Sequence, residues 1–309
     1  MAEQRPLGSN PVEGRIMRAR SGFYDVLTEK GVVRCRARGR FRKDGFSPLA
    51  GDLVTFRPAD ENTGYIDAIL PRKNCFVRPA VANIDMLVLL AAAVNPVTDP
   101  FLVDRVAVIA EHVRCGVVIC INKCDLDRGE FFDEAFPGNT GYPLIRTSAV
   151  TGEGIDTLKA VLNGKTAVFT GNSGVGKSSL LNAISPGLSI PVGDVSDRLG
   201  RGRHTTRHIE FYEAGKGTLI ADTPGFSSFD LAQMQPIPKQ ELQHLFPEFR
   251  PFLGSCRFDD CAHLKEPGCA VLAAVHRKEI SQSRHDSYQR LYSISAGFRE
   301  WEELKKNMK

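Results

Sequence analysis

The chain has 309 residues, 42% of them hydrophobic and 25% charged, an ordinary composition for folded globular domains and enough length for two or three of them. The longest apolar run, MLVLLAAAV at 86–94, is too short to cross a bilayer, and the opening MAEQRPLGSNPVEGR lacks the apolar core of a signal peptide. We therefore expect a cytoplasmic protein without a membrane partner. The net charge is +4, but residues 1–75 alone carry 14 Lys and Arg against 9 Asp and Glu, which favours a polyanionic partner such as nucleic acid.

Residues 15–70 predict a small β-barrel, because short runs of strand-forming residues are separated by Gly, Pro and Asp turns. Within this segment, RCRARGRFRK at 34–43 alternates arginine with small or apolar residues. On a strand of period two the arginines would share one face and the other residues would pack inward. Five arginines without an interleaved carboxylate favour contact with RNA phosphates, although a solvated strand face would show the same pattern. The predicted RNA-binding residues are Arg34, Arg36, Arg38, Arg40 and Arg42.

Residues 82–225 alternate between buried strands and amphipathic helices, the pattern of a doubly wound α/β domain with a parallel sheet. The predicted strands are IDMLVLLAAAV, GVVICINK, YPLIRTSA and TAVFTG, with HIEFYEA and GTLIADTPG as a final pair. Helices are predicted at DPFLVDRVAVIAEHVR, GIDTLKAVLN and KSSLLNAI, the first opened by Asp99-Pro100. From about residue 236 the chain is punctuated by proline and ends in a basic helical tail, so we expect a third, small helical domain.

The stretch GNSGVGKSS at 171–179 fits a phosphate-binding loop, and it lies between a predicted strand and a predicted helix as that motif requires. Its glycines let backbone N–H groups turn toward a phosphate, Lys177 would neutralise the β- and γ-phosphate charge, and Ser178 would ligate Mg²⁺. The predicted nucleotide contacts here are Gly171, Asn172, Ser173, Gly174, Val175, Gly176, Lys177, Ser178 and Ser179.

The tetrapeptide DTPG at 222–225 follows a predicted strand. Asp222 would hold Mg²⁺ through water, and the Gly225 N–H would donate to the γ-phosphate. Many GTPases then carry a glutamine that orients the attacking water, but Phe226 stands here and cannot do so.

A second segment near the γ-phosphate is predicted at GDVSDRLGRGRHTTRH, 193–208, whose polar composition without hydrophobic period is typical of a mobile loop. Thr206 or Thr205 would contact Mg²⁺ and the γ-phosphate. His204 beside them is the candidate catalytic residue, since an imidazole titrates near neutral pH and suits the positioning of water. A solvated loop histidine is the alternative.

Guanine specificity is predicted by NKCD at 122–125 and TSAV at 147–150, both at strand ends. Asp125 would accept hydrogen bonds from N1–H and the 2-amino group of guanine, a donor pair that adenine lacks. Asn122 and Lys123 would brace the phosphate loop and cover the base. Ser148 and Ala149 belong to the segment that supplies a backbone N–H, at Ala149, to the guanine oxygen. A phosphate-loop ATPase remains the alternative to a GTPase.

The order of these motifs is reversed, since in an ordinary GTPase the phosphate loop precedes the guanine motifs. Here the helix GIDTLKAVLN leads directly into TAVFTG, as if the domain had been joined at its usual ends and cut after DTPG. Such a circular permutation preserves the sheet and the pocket. The segment DTPG, which is predicted to sense the γ-phosphate, then leads directly into residues 236–309. We hypothesise that the nucleotide state is transmitted to these residues through this covalent connection.

Eight cysteines are present, and five of them are scattered as expected of reduced thiols. The other three join one histidine in the pattern C-x4-C-x-H-x5-C, formed by Cys256, Cys261, His263 and Cys269. Three thiolates and one imidazole complete a tetrahedral Zn²⁺ site without an open position, which predicts a structural metal. Unrelated buried thiols are the alternative.

In combination, the small basic barrel, the ordered motifs NKCD, TSA, GNSGVGKSS, GRHTT and DTPGF, and the cysteine cluster resemble the RsgA (YjeQ) family of circularly permuted GTPases. The resemblance covers nearly the whole chain. It implies an N-terminal OB-fold, a central permuted GTPase domain and a C-terminal zinc-binding domain. It also implies weak GTP hydrolysis stimulated by the small ribosomal subunit, a role in late maturation of that subunit, and a catalytic histidine at the position of His204.

We therefore predict three domains, at 1–75, 76–235 and 236–309, in a monomer that binds GTP and GDP with Mg²⁺, one structural Zn²⁺, and the small ribosomal subunit with its rRNA. Two other functions stay open. One is a passive RNA-binding or chaperone module whose pocket only holds nucleotide. The other is a translation or tRNA-modification factor that uses its barrel for tRNA.

Overall fold

The computed structural model describes residues 10–37, 41, 47–77, 79–188, 190, 209–215, 217–223 and 237–307, with side chains as far as residue 297. Among these residues no helix is both long and apolar enough to cross a membrane.

The N-terminal segment forms a closed barrel with strand order β1-β2-β3-β5-β4. Its strands are β1 (Val12–Arg20), β2 (Phe23–Thr28), β3 (Gly31–Ala37), β4 (Leu53–Pro58) and β5 (Thr63–Ile69). Neighbouring strands are antiparallel except β3 and β5, which run parallel. Ser21 and Gly22, both with positive φ, make the tight turn between β1 and β2, as a two-residue hairpin requires. The predicted barrel is confirmed.

The arginine-rich strand is shorter than its alternating pattern predicts. β3 ends at Ala37, whose parallel partner Ile66 is the last one it has on β5. Phe41 is buried in the barrel core, as the pattern requires, but its backbone is helical rather than extended. The prediction of one continuous strand over 34–43 was therefore wrong at Phe41; residues 38–40, 42 and 43 lie outside the described residues.

The central segment is a six-stranded sheet with strand order β10-β9-β8-β11-β13-β12. After a short ribbon of β6 (Cys75–Phe76) and β7 (Val81–Ala82), its strands are β8 (Met86–Ala92), β9 (Gly116–Asn122), β10 (Leu144–Arg146), β11 (Thr166–Gly171), β12 (Phe211–Glu213) and β13 (Leu219–Asp222). All pairs are parallel except β12 with β13. The helices are α1 (Pro100–His112), α2 (Phe131–Ala135), α3 (Ile155–Leu162) and α4 (Lys177–Ile184). This is the predicted α/β architecture.

Two apolar cores cover the two faces of this sheet. Along β8 alternate residues enter different cores, as the period of a strand dictates. Leu87 and Leu89 face the core that contains α1, whereas Val88 and Leu90 face the core that contains α3 and α4. Because both faces are buried, the strand reads as a continuous apolar run in the sequence.

The C-terminal segment packs on the α1 face of the sheet. It consists of two 3-10 segments, Leu242–Leu245 and Pro247–Phe252, followed by α5 (Ala270–His276) and α6 (Gln282–Asn307). Its apolar residues belong to the same core as those of α1. At the contact, the fully buried Arg284 of α6 donates through Nε and Nη2 to the two carboxylate oxygens of Glu248, at 2.6 and 3.1 Å, and through Nη1 to Asp104 of α1. This ion-pair triad joins three segments that are far apart in sequence.

The barrel contacts the sheet at the start of β11 and at the residue before the edge strand β12. Arg15 donates to Thr166 Oγ1 at 3.0 Å, and Arg18 pairs with Glu210 both as an ion pair of 3.3 Å and as an isolated antiparallel bridge of the backbone. Strand β1 is thereby connected to the residue that precedes β12.

Candidate nucleotide site and metal centre

The phosphate loop connects β11 to α4 at the carboxyl edge of the parallel sheet, where ligands of α/β domains bind. Its last residue, Gly176, has a φ of 89° and caps α4. A Cβ at this position would lie 2.5 Å from Asn122 Nδ2. A glycine is therefore needed here both for the left-handed conformation and for the close approach of a neighbouring strand end.

Lys177, at the start of α4, is held by the end of β13. Its Nζ lies 2.7 Å from Asp222 Oδ1, in an ion pair whose angles are not those of a hydrogen bond, and donates to the carbonyl of Thr223. Burial raises the pKa of Asp222, although the charge of Lys177 acts in the opposite direction. The lysine and the aspartate thus neutralise each other at the place where phosphate and Mg²⁺ are predicted.

Asn122 braces the phosphate loop from the end of β9. Its Nδ2 donates to the carbonyl of Val175 at 2.8 Å, and its Oδ1 accepts from Thr147 Oγ1 at 3.2 Å. The next residue, Lys123, has a positive φ of 63° and donates to the carbonyl of Asn95. The side chain predicted to support the loop therefore lies against it.

The two guanine motifs are joined through their backbones. Cys124 N–H donates to Thr147 O at 3.1 Å, which places NKCD beside TSAV. Ser148 is buried, and its hydroxyl accepts from the N–H groups of Val150 and Thr151 at 3.3 and 3.1 Å, which shapes the turn that carries Ala149. Asp125 is exposed at the same edge of the sheet.

Sequence reasoning missed Thr147 and Asn95 as supports of these motifs. Thr147 offered a signal, since it stands at a strand end directly before Ser148. Asn95 offered none, because its contact with Lys123 is a backbone carbonyl whose position depends on the tertiary fold.

Of the other predicted phosphate-loop residues, Ser173 and Gly174 are exposed, Asn172, Ser178 and Ser179 are half-buried, and Gly171 and Val175 are buried. Four predicted nucleotide contacts lie outside the described residues: His204, Thr205, Thr206 and Gly225.

The four predicted metal ligands converge, with all their donor atoms within 4.8 Å of one another. Cys256 Sγ lies 3.9 Å from Cys269 Sγ, and His263 Nδ1 lies 3.6 and 3.4 Å from these two sulfurs. Thiolates around a tetrahedral zinc, with Zn–S bonds of about 2.3 Å, are about 3.8 Å apart. The cluster, completed by Cys261, can therefore hold one metal ion.

Surrounding groups prepare these side chains as ligands. His263 Nε2 lies 2.7 Å from Gln243 Oε1, and donation to this oxygen leaves Nδ1 without a proton and aimed at the sulfurs. Burial lowers the pKa of His263, which also favours the neutral imidazole. Burial raises the pKa of Cys261 to about 12, so a binding cation has to displace a proton from this thiol. Sequence reasoning missed Gln243, which lies outside the cysteine-rich segment.

Further backbone N–H groups support the sulfurs. The N–H of Ala270 donates to Cys256 Sγ at 3.3 Å. Leu272 N–H donates to Cys269 Sγ at 3.4 Å, so that the sulfur of Cys269 is the N-cap of α5. The metal cluster and the first turn of this helix are therefore one unit.

On the barrel, Arg34 and Arg36 point outward from β3 while Cys35 is buried, as the alternation predicts. Arg34 pairs with Asp25 of the neighbouring strand at 3.3 Å, a carboxylate that inspection of one strand could not reveal. Arg38, Arg40 and Arg42 lie outside the described residues.

A phosphate loop, a strand-end aspartate and an Asn-Lys-x-Asp motif on one doubly wound sheet define a GTPase, here with its motifs in permuted order. A family profile described as RsgA GTPase matches residues 69–232, and one described as RsgA N-terminal domain matches residues 13–66. The chain belongs to the RsgA family and is a GTP-hydrolysing enzyme.

Proteins named small ribosomal subunit biogenesis GTPase RsgA are similar over most of the chain. The one from Geobacillus kaustophilus is 47% identical over 281 residues, 89% of this chain and 94% of that protein. The one from Caldanaerobacter subterraneus subsp. tengcongensis is 45% identical over 279 residues, 90% of this chain and 93% of that protein.

Two solved structures share the fold. YjeQ from Thermotoga maritima aligns with a TM-score of 0.78 and 34% identity, over 93% of this chain and 99% of its own. YloQ, described as a circularly permuted GTPase, aligns with a TM-score of 0.74 and 38% identity, over 95% and 98%. The permuted order read from the motifs is thus that of a known architecture.

Proposed function

We propose that this enzyme hydrolyses GTP on the small ribosomal subunit and acts in the late maturation of that subunit. The observation that carries the proposal is the extent of its likeness to relatives named for small subunit biogenesis, at 45 and 47% identity over about nine tenths of the chain. Such a role belongs in the cytoplasm, as the sequence predicts.

In the proposed reaction, Lys177 leaves its ion pair with Asp222 to contact the β- and γ-phosphates. Ser178 and Asp222 hold Mg²⁺, which neutralises charge on the phosphate oxygens when it is bound with GTP. The half-buried position of Ser178 beside Lys177, at the N-terminus of α4, supports this role. The remaining phosphate-loop residues and Gly225 donate their backbone N–H groups.

Asp125 reads the guanine base in this proposal, with Lys123 over the base and the backbone of Ser148 and Ala149 at the guanine oxygen. The backbone hydrogen bond from Cys124 to Thr147 supports it, because it holds both motifs at one edge of the sheet. His204 positions the attacking water, and Thr205 or Thr206 contacts Mg²⁺ and the γ-phosphate. The resemblance to the family supports these three assignments.

Stimulation by the subunit is part of the proposal, and the barrel supplies a physical route for it. Arg34, Arg36, Arg38, Arg40 and Arg42 would contact rRNA on the barrel. Arg18 of the barrel pairs with Glu210, which follows His204 by six residues in the sequence. Binding at the barrel would therefore affect the chain close to His204, and the covalent path from DTPG into the C-terminal segment would carry the nucleotide state onward.

We assign zinc to the metal cluster, because three thiolates and one imidazole whose donor atoms converge within 4.8 Å are the ligand set of a closed structural zinc site. We also keep the division into domains at 1–75, 76–235 and 236–309 and the monomeric state as proposals. The end of the barrel at Ile69 and the change to 3-10 segments after residue 237 support the division.

The test is steady-state GTP hydrolysis with purified small subunits, and with large subunits and tRNA as controls. Unstimulated GTPases of this class turn over at roughly 10⁻⁴ to 10⁻² per second, and we expect small subunits alone to raise the rate by orders of magnitude. His204→Ala should still bind GTP but lose most of the stimulated rate, whereas His208→Ala, a histidine of the same segment, should keep it. A response to tRNA would favour the translation-factor alternative, and no response to any of the three would favour a passive binder.

A further inference from the structure

The strand register of the barrel aligns five exposed side chains in one row across all five strands. Arg20 of β1 is opposite Phe23 of β2, Phe23 is opposite Arg36 of β3, Arg36 is opposite Tyr65 of β5, and Tyr65 is opposite Arg57 of β4. Each of them is exposed. The row therefore alternates arginine and aromatic residues around the outside of the barrel, with direct neighbours close enough for side-chain contact.

The rings of this row are partly exposed on the outside of the barrel. Phe23 is 37% exposed and Tyr65 is 43% exposed, while the barrel core is filled by other residues. The guanidinium of Arg36 stacks over the Phe23 ring at 4.6 Å from its centroid, and that of Arg34 lies at 5.9 Å. Phe23, Arg36 and Tyr65, on three adjacent strands, thus form a cationic and aromatic surface on the outside of the barrel.

The charges of the row are unevenly compensated. Arg57 pairs with Asp67 at 2.6 Å, and Arg34, next to the row, pairs with Asp25 at 3.3 Å. Within the described residues, no ion pair involves Arg20 or Arg36. The row thus has uncompensated positive charge at Arg20 and at its central residue, Arg36. The two aromatic rings lie on either side of Arg36.

This combination selects one kind of ligand chemistry. Aromatic faces and guanidinium planes stack on nucleobases, and arginines bind the phosphates between them. Bases inside an A-form duplex are already stacked on each other, and its deep major groove does not admit a barrel surface. The row therefore matches unpaired nucleotides.

We propose that the row of Arg20, Phe23, Arg36, Tyr65 and Arg57 is a stacking platform that binds an unpaired stretch of RNA, with bases on Phe23 and Tyr65 and a phosphate on Arg36. The proposal rests on the proposed function, since it names the kind of ribosomal RNA that the barrel contacts. It differs from the arginine strand predicted from the sequence, because the row runs across the strands and its aromatic members contact the bases.

The test uses the full chain and three fluorescein-labelled probes: an oligouridylate of about ten nucleotides, a length that one such barrel can cover, its duplex with oligoadenylate, and an abasic oligonucleotide of the same length. We expect the single strand to bind about tenfold more tightly than either of the others in fluorescence anisotropy. Tyr65→Leu and Phe23→Leu should each weaken binding of the oligouridylate about tenfold and leave binding of the abasic probe unchanged. Arg36→Gln should weaken both and reduce the salt dependence.

Three comparisons keep the result specific. Tyr65→Phe and Phe23→Tyr retain a ring and should retain the affinity. Val32→Ala changes an exposed apolar residue of β3 outside the row and should have no effect. Equal affinity for the abasic probe and the oligouridylate, or full affinity of both leucine variants, would overturn the proposal.

The same variants assayed with small subunits separate this inference from the proposed function. If small subunits fail to stimulate the wild-type enzyme while the oligonucleotide results hold, the proposed function fails and the stacking platform stands. If stimulation is normal but the leucine variants bind oligouridylate like wild type, the platform fails and the function stands.

Discussion

The metal cluster and the nucleotide site both combine charged or ionisable side chains around a position for an ion, but they are built in opposite ways. The four candidate metal ligands come from one short segment, and their donor atoms lie within 4.8 Å of one another. The nucleotide site takes its residues from several distant strand ends, and its lysine is engaged with Asp222 and with the carbonyl of Thr223.

This difference indicates what each site does. A cluster whose ligands need no rearrangement serves the fold, because the metal is gained once and its binding energy is folding energy. In the proposed reaction the lysine and the aspartate of the nucleotide site instead exchange their mutual ion pair for contacts with phosphate and Mg²⁺. Reversible exchange of partners suits a nucleotide site that switches between states, whereas permanent coordination of a metal ion suits a structural site.

The largest effect is expected from removing one metal ligand. Cys269→Ser should reduce the zinc content of the purified protein from about one per chain to nearly none, and lower the free energy of unfolding by at least about 3 kcal/mol. A serine hydroxyl can still cap α5, so the change isolates the metal from the cap. Elemental analysis and thermal denaturation measure both. Cys75→Ser, outside the cluster, is the matched control, and full zinc content in Cys269→Ser would contradict a four-ligand site.

Lys177→Ala removes the cation that is proposed to contact the phosphates in the nucleotide site. We expect the affinity for GTP to fall at least about 100-fold, because the phosphates lose a cation in a partly buried site. Thermal stability should change much less than in the metal variant, since the lysine serves the ligand. Titration with a fluorescent GTP analogue gives the dissociation constant, with the exposed Lys159→Ala as control. An unchanged constant would remove Lys177 from the site.

Asp125→Asn sharpens the comparison further, because it should alter specificity without altering the fold. The amide cannot accept from both guanine donors, but it can pair with xanthine. We expect the preference for GTP over xanthosine triphosphate to fall by a factor on the order of 100. Competition binding measures the ratio, and Asp127→Asn is the neighbouring control. A preference that stays with GTP would mean that another group reads the base.

Gln243→Leu should give the smallest effect. It leaves His263 Nε2 without its acceptor, so the imidazole is less well oriented, and we expect zinc affinity to fall about tenfold to 100-fold. Gln243→Glu keeps an oxygen in place and should keep most of the affinity. Competition with a chelator gives the value, and equal affinities of the leucine variant and wild type would show that this contact does not tune the metal.

The sequence predicted those features that depend on local chemistry. The Asp99-Pro100 pair predicted the start of α1, and Asp99 Oδ1 indeed accepts from Phe101 N–H at 2.9 Å. The spacing of the cysteines predicted the cluster, since its ligands lie on one short segment. The alternation of strands and helices in 82–225 predicted the sheet, because its central strands β8, β9 and β11 are buried on both faces.

Features that depend on contacts between distant segments could not be predicted. The helical backbone of Phe41 depends on its place in the barrel core, and the pairing of Lys177 with Asp222 depends on β11 and β13, which meet only in the folded sheet. Gln243 acts on His263 from another segment. The row of arginines and aromatic residues on the barrel likewise could not be predicted from any single strand, since each strand contributes only one residue to it.

The buried Arg284 has a consequence for how the chain is completed during synthesis. Its partner Asp104 is 180 residues earlier, so α1 is translated long before the only described cation that compensates this carboxylate. Until α6 has emerged, α1 packs on the sheet without the C-terminal residues of its core, and burial raises the pKa of Asp104 once it is enclosed. We therefore expect the central domain of a nascent chain to stay incomplete on this face until translation is almost finished.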